Sequence, residues 1–411
     1  MEPITFLIII GFSWLSLSAI TRFHWFEVKN PEIGLGYAFY RTKKLNNIID
    51  RLAGRGQMIW KFIWDIGVIS GLGILIVGLA IFTINLPLFF LPTPEGTSGP
   101  IAVTPVIPGI TVSFQTLPYF LVAVMIGAIF HEFAHGIAAR VEGVDLKSTG
   151  IFVFLVFLGA FVEPDEKSFK SKSRRTKVRI MAAGALANMF VAAITISIFI
   201  LPMVLPFVTS PFYHYDSGGS LVISPLYHTD PAGALIIETI PDFPAFQAGM
   251  KSGYAIIGIN SSEGYQTISN LTDFHEYSAS SVYPSQNVTF HFANGISPIS
   301  LITVPREDNE SKGFIGIRTS NYYSSLISSD IILLNLIPYW LFYTVLYVFM
   351  INLMFAIMNL LPIPFLDGDK LLTAFLGPKF EKYLPWIRYF ALGILGLNII
   401  LSLLFMGWQQ L

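Results

Sequence analysis

Six stretches of the chain stay apolar long enough to cross a bilayer, which takes about 17–25 residues. They are 4–20, 66–91, 117–139, 180–206, 331–361 and 389–407. A shorter apolar run, 149–162 (TGIFVFLVFLGAFV), is only about 14 residues long and rich in β-formers. It predicts a re-entrant or sheet element. Between the fourth and fifth spans, residues 207–330 turn polar and rich in Ser, Asn and Tyr, with short strand-like runs. The pattern predicts an α-helical polytopic membrane protein of about six transmembrane helices with a small α/β domain inserted.

Composition agrees with a lipid environment. Of 411 residues 53% are hydrophobic and 12% charged, where a soluble domain carries about 25% charged residues. A net charge of -1 argues against a nucleic-acid partner. There is no cysteine, so disulfides and thiolate metal sites are excluded, and any metal must be held by His, Asp or Glu.

Loop charge sets the orientation. Residues 21–61 carry Arg22, Lys29, Arg41, Lys43, Lys44, Arg51, Arg55 and Lys61, residues 92–116 carry no Lys or Arg, and residues 163–179 carry seven. By the positive-inside rule the first and third of these loops are cytosolic and the second is outside. The insert and both termini then fall outside. Four Asn-X-Ser/Thr sequons, at Asn260, Asn270, Asn287 and Asn309, lie in the insert and agree with that side. Met-Glu-Pro lacks a basic opening and Arg22 follows the first span, which predicts a retained anchor.

The chemistry concentrates in His131-Glu132-Phe133-Ala134-His135. On a helix, positions i and i+4 share a face, so both imidazoles can reach one Zn²⁺ while Glu132 stands beside the first of them. Zinc makes a water acidic near pH 7, and the carboxylate can take its proton. The motif follows an uninterrupted apolar run, 121–130, where an ionisable group costs at least about 2–3 kcal/mol and defaults to a functional reading. A catalytic zinc needs a third protein ligand. Asp65, Glu163, Asp165 and Asp367 are the candidates in or near spans. Glu163 lies 28 positions after His135, directly before the basic loop. Asp367 follows Asn359-Leu360-Leu361-Pro362-Ile363-Pro364-Phe365-Leu366, where two prolines stop the fifth span and Gly368 permits a tight turn.

HEFAH near the end of one span, with N-x-x-P-x-P-x-L-D-G closing a later one, resembles the site-2 protease family of intramembrane metalloproteases, in its microbial form with a PDZ-like insert. The resemblance implies that His131, His135 and Asp367 hold Zn²⁺ and that Glu132 is the general base. Gly184-Ala185-Leu186-Ala187-Asn188 matches the family's Gly-Pro-x-x-Asn helix start, with Ala185 in place of the proline. It implies a substrate-positioning role for Gly184 and Asn188. The likeness covers roughly 117–206 and 331–376.

Within the insert, Pro244 to Gly253 followed by Ala255 to Asn260 resembles a PDZ domain, with Tyr254 standing for the usual Asp and Ser261 for the usual Gly. Such domains take an extended peptide as an added strand. Gly313 to Ile317 would supply a closing strand. The expected organisation is 1–116, two spans with a basic cytosolic loop; 117–206, the catalytic core; 207–330, the extracytoplasmic PDZ-like domain; and 331–411, the second part of the core and the last span. The implied function is an intramembrane zinc endopeptidase of the cell membrane. It would cleave transmembrane helices of other membrane proteins near the cytosolic face. A membrane zinc transporter and an inactive peptide-binding scaffold are the alternatives.

Overall fold

The computed structural model describes residues 31–407 apart from 35, 43, 92–98, 115, 156, 205–213, 216–220, 223–227, 229, 307–308 and 326–335. The span predicted at 4–20 lies outside the described residues. Among them, five helices are long and apolar enough to cross a membrane: Gln57–Leu88, Leu117–Val141, Arg174–Ile198, Tyr339–Asn359 and Pro378–Met406. The chain divides into two compact units, one made by the residues up to Ile196 together with Leu346–Leu411, the other by Ser197–Val345.

The first unit opens with a hairpin, β1 (Pro31–Gly34) and β2 (Tyr37–Thr42), followed by helices α1 (Lys44–Ala53), α2 (Gln57–Leu88) and α3 (Leu117–Val141). Next come a second hairpin, β3 (Leu146–Phe154) and β4 (Phe157–Pro164), the short helix α4 (Glu166–Ser171) and the long helix α5 (Arg174–Val204). The two hairpins join into one four-stranded antiparallel sheet in the order β1-β2-β3-β4. The short apolar run at 149–162 is therefore sheet. Its register pairs Tyr40 with Ile151 and Ile151 with Ala160.

Small residues let the helices approach closely, the usual device where lipid supplies no hydrophobic drive. A side chain at Gly67 of α2 would meet Leu186, one at Gly71 would meet Leu371 and Ala182, and one at Gly78 would meet Ile357 and Leu361. On α3 the buried stripe Phe120, Ala123, Gly127, His131, Ala134, His135 and Ala138 keeps helical spacing. Ala134, Ile137, Ala138 and Ala139 share a core with Ile49, Ile180 and Ala182.

Helix α5 begins six residues before the span expected at 180, and the charges in its first turns explain why it can. Arg179 is 8% exposed and grips Asp65 of α2 through two nitrogens, at 2.7 and 2.6 Å. Its remaining nitrogen reaches Glu142, just past the end of α3, at 2.8 Å. Arg175 adds a bond to Asp65 at 2.9 Å and Thr176 one to Glu142 at 2.8 Å. The start of α2, the end of α3 and the start of α5 thus meet at one charge-neutral junction, so these three helices alternate in direction.

The second unit is built on an antiparallel sheet. Strands β5 (His214–Tyr215) and β6 (Leu221–Val222) pair with each other. The main sheet is formed by β7 (Gly233–Thr239), β8 (Ala255–Ser261), β9 (Gly264–Thr267), β10 (Asn287–Phe292), β11 (Ile299–Ile302) and β14 (Ile317–Tyr322). Its order is β11-β10-β8-β7-β14, with β9 beside β8. The hairpin β12 (Val304–Arg306) and β13 (Asn309–Phe314) stands apart. Two helices, α6 (Pro244–Gln247) and α7 (Leu271–Ser281), accompany the sheet. Asn270 caps α7 by accepting from the Asp273 N–H at 2.8 Å. Ile236, Ile256, Ile259, Val288 and Phe290 form the core of this unit. The closing strand is not the expected 313–317 but Ile317–Tyr322, which pairs with β7. The chain turns at Ile315 and Gly316, so the predicted stretch holds the end of β13, that turn and the first residue of β14.

Helix α8 (Ile337–Asn359) ends three residues before Pro362, a proline that lacks the N–H to continue the ladder and disfavours the helical conformation of the residue ahead of it. After the break come α9 (Asp367–Leu376), a 3₁₀ turn at Pro378–Tyr383 and α10 (Leu384–Met406). The tight turn falls at Phe365, with φ +79, rather than at Gly368. Gly368 serves a different need. A Cβ there would lie 2.1 Å from the Leu360 carbonyl oxygen, so only glycine lets α9 start against the end of α8.

Candidate metal centre

Helix α3 carries His131 and His135 one turn apart on its buried stripe, 6% and 9% exposed. Asp367 opens α9 and stands between them. Its Oδ2 lies 2.9 Å from Nε2 of His131 and 2.9 Å from Nε2 of His135, and the two Nε2 atoms are 3.1 Å apart. Ligands about 2.0–2.1 Å from one tetrahedral ion lie roughly 3.3 Å from one another, so the triangle is close to that size. Among the described residues this is the one cluster of His, Asp and Glu side chains able to hold a metal ion.

The groups behind the triangle suit it to a cation. Nδ1 of His135 donates to the Ile180 carbonyl at 2.7 Å, which turns the Nε2 lone pair toward the cluster. Asn188 of α5 is fully buried, and its amide meets Nδ1 of His131 at 3.2 Å. Lys370 lies 3.4 Å from the other carboxylate oxygen of Asp367. Gly184 supplies the fit. A Cβ there would fall 2.4 Å from Nε2 of His135 and 2.6 Å from Nε2 of His131. The space both lone pairs face is thus kept open by the lack of a side chain, and a two-imidazole, one-carboxylate donor set suits Zn²⁺.

Glu132 sits beside the cluster and is held by the sheet. Its Oε2 accepts the Val162 N–H of β4 at 3.0 Å. Because β4 is an edge strand, that N–H points away from β3 and is free to bond a side chain.

The other candidate carboxylates are engaged elsewhere. Glu163 accepts from Ser148 Oγ at 2.8 Å and lies 3.9 Å from Lys147. Asp165 caps α4 through the Ser168 N–H at 2.8 Å, and Asp65 belongs to the Arg179 junction. Two cations that sequence reading missed fix the helix bearing Asp367. Arg388 of α10 grips the buried Asp369 at 2.6 and 3.0 Å. Arg174 donates to the carbonyls of Ala374 and Phe375 at the far end of α9. A lone arginine within an apolar stretch such as 384–406 is a signal that could have found the first, since such a charge requires a partner.

Two relatives frame this geometry. The chain is 30% identical over 189 residues to a membrane-bound transcription factor site-2 protease homolog of Arabidopsis thaliana, a match covering 46% of this chain and 35% of that protein. It is 31% identical over 180 residues to an uncharacterized protein of Methanocaldococcus jannaschii, covering 41% of this chain and 45% of the relative. The matches thus span less than half of these relatives' length. The sequence profile of peptidase family M50 extends further, over residues 119–395. That range takes in α3, the sheet hairpin, α5, α8 and α9, more than half of the chain, and the chain belongs to this family of membrane metalloproteases.

Proposed function

We propose that this protein is a zinc endopeptidase that cuts transmembrane segments of other membrane proteins near the cytosolic face. The observation that carries the reading is the His131–His135–Asp367 triangle with the Glu132 carboxylate beside it. His131, His135 and Asp367 would hold the zinc, which supplies Lewis acidity and makes a water acidic near neutral pH. Glu132 has one oxygen fixed by the Val162 N–H, and its other oxygen takes the proton of the attacking water and passes it to the leaving amine. A peptide bond must leave its helix to be cut. The free edge of β4 next to Glu132 offers backbone groups on which an extended segment can pair. The Val162 N–H on that edge is taken by Glu132, so the groups left for pairing are those of Ala160 and Leu158, which face the same edge by strand alternation.

The orientation rests on charge. Arg174, Arg175, Lys177 and Arg179 open α5 at the end where α3 closes with the histidines, and positive residues favour the cytosol. The sheet-rich residues 207–330 would then lie outside as a PDZ-like domain that takes a peptide or excludes bulky ectodomains.

Glu132→Gln tests the mechanism. Metal content should stay near that of the wild type while cleavage of a membrane-helix substrate drops by about 100-fold or more. Cleavage at the wild-type rate would sink the proposal. The orientation is checked by fusing a reporter near residue 172, expected to read cytosolic, and another near 280, expected to read outside. Both on one side would overturn it.

A further inference from the structure

A cavity of about 520 Å³ lies between α4, the start of α5, α9 and the start of α10. Helix geometry makes it a continuation of the metal centre. At 100° per residue, the lining residues Met181 and Lys177 stand about 60° and 20° around α5 from Gly184, the residue that faces both imidazoles. On α9 the lining residues Lys370 and Ala374 keep the same spacing of three and seven from Asp367. Lys370 joins the two spaces, since its Nζ lies 3.4 Å from Oδ1 of Asp367.

The lining is unbalanced in charge. Lys170, Arg174, Lys177, Lys370 and Arg388 stand against two carboxylates, Asp369 and Glu381. Arg388 is spent on Asp369, at 2.6 and 3.0 Å, and Lys170 lies 2.6 Å from Glu166. Arg174 and Lys177 have only neutral partners. Arg174 donates to the Ala374 and Phe375 carbonyls, and Lys177 donates to the Lys170 carbonyl at 2.8 Å. Among the described residues no carboxylate lies within ion-pair distance of either. Both cations are thus held in place with their charge uncompensated, in a cavity whose lining includes the buried Met181 and Leu384.

We propose that this cavity is a specificity subsite: it takes the substrate residues just beyond the scissile bond, on the side of the α5 start, and selects an acidic side chain there. The inference rests on the protease reading above. Along α5, Lys177 lies about 10 Å from Gly184, and an extended chain advances about 3.3 Å per residue. The selected position is therefore about three residues from the bond that is cut. A carboxylate there meets Lys177 and Arg174, which keep hydrogens to give, because an ammonium has three donors and a guanidinium five. The selection runs against the common case. Membrane proteins carry mostly Lys and Arg at the cytosolic end of a span, and such a flank brings like charge into the cavity. The subsite would spare most spans and admit few.

The test uses the full chain in phosphatidylcholine nanodiscs with three peptides that share one transmembrane span. They differ only in the residues flanking its cytosolic end, which are Asp, Asn or Lys. The Asp peptide should be cleaved with a kcat/KM about fivefold above that of the Asn peptide, with the Lys peptide lowest. The Glu132→Gln protein should bind the three in the same order. Lys170→Glu/Lys177→Glu should put the Lys peptide above the Asp peptide in both measurements. Cleavage of all three at equal rates would overturn the subsite and leave the protease reading standing, as would an order that survives the charge reversal. Cleavage of none, with a binding order that the double substitution reverses, would sink the protease reading and keep the cavity as an acid-selective peptide site. Equal binding of all three, with activity that rises instead as phosphatidylglycerol is added, would give these cations to lipid phosphate and also overturn the proposal.

Discussion

The side-chain amide of Asn188 sits 3.2 Å from Nδ1 of His131, and its own oxygen is buried without a hydrogen-bond partner. A neutral imidazole that offers its Nε2 lone pair carries its proton on Nδ1. The atom that ring needs is the amide oxygen, and exchanging the amide's oxygen and nitrogen brings that oxygen to the Nδ1 proton.

Asn188→Leu should therefore weaken zinc binding by about 10- to 100-fold, and Asn188→Asp, which keeps an acceptor, should restore most of it. Chelator competition on purified protein measures this. Unchanged zinc affinity with a raised KM would mean that the amide works on the substrate instead.

Gly184→Ala should expel the metal, because its methyl lies within 2.6 Å of both Nε2 atoms. Helical content by circular dichroism should be unchanged, since alanine is the best helix former. Zinc at wild-type occupancy in a folded Gly184→Ala protein would show that the open space serves something other than the ion.

Asp367→Ala should lower zinc occupancy sharply and remove activity, because two imidazoles alone leave the ion short of the three protein ligands usual at a catalytic site. Glu163→Ala should retain most of the metal, given its ties to Ser148 and Lys147. Full zinc in the first variant with loss in the second would reverse the assignment.

The parts of this protein that depend on local pattern were readable in its sequence. Long apolar runs marked the helices of the core, the i, i+4 spacing put His131 and His135 on one face, and the prolines at 362 and 364 marked the broken end that delivers Asp367. What depends on distant pairing was not. The strands 31–34 and 37–42 lie within a stretch that reads as a basic loop; they pair with each other, and 37–42 joins the larger sheet only through the run at 149–154, across three intervening helices. The start of α5 at Arg174 escaped because its charges look like loop residues until Asp65 and Glu142 are seen to neutralise them. Backbone groups leave no mark on sequence either, so the Val162 N–H behind Glu132 and the Ile180 carbonyl behind His135 were invisible.

The junction around Arg179 also limits how the helices can move. Its side chain and that of Glu142 are 9% and 7% exposed, so salt screens the pair less than it screens a surface contact such as Lys170 with Glu166. Breaking it would strand a charge at a cost of about 3–5 kcal/mol. While it holds, α2, α3 and α5 share a fixed point at one end and none of the three can slide past another. Any gap that opens between them must widen away from that point, as tongs open from their rivet. The histidines lie in the last three turns of α3, near the rivet, where such opening displaces them least.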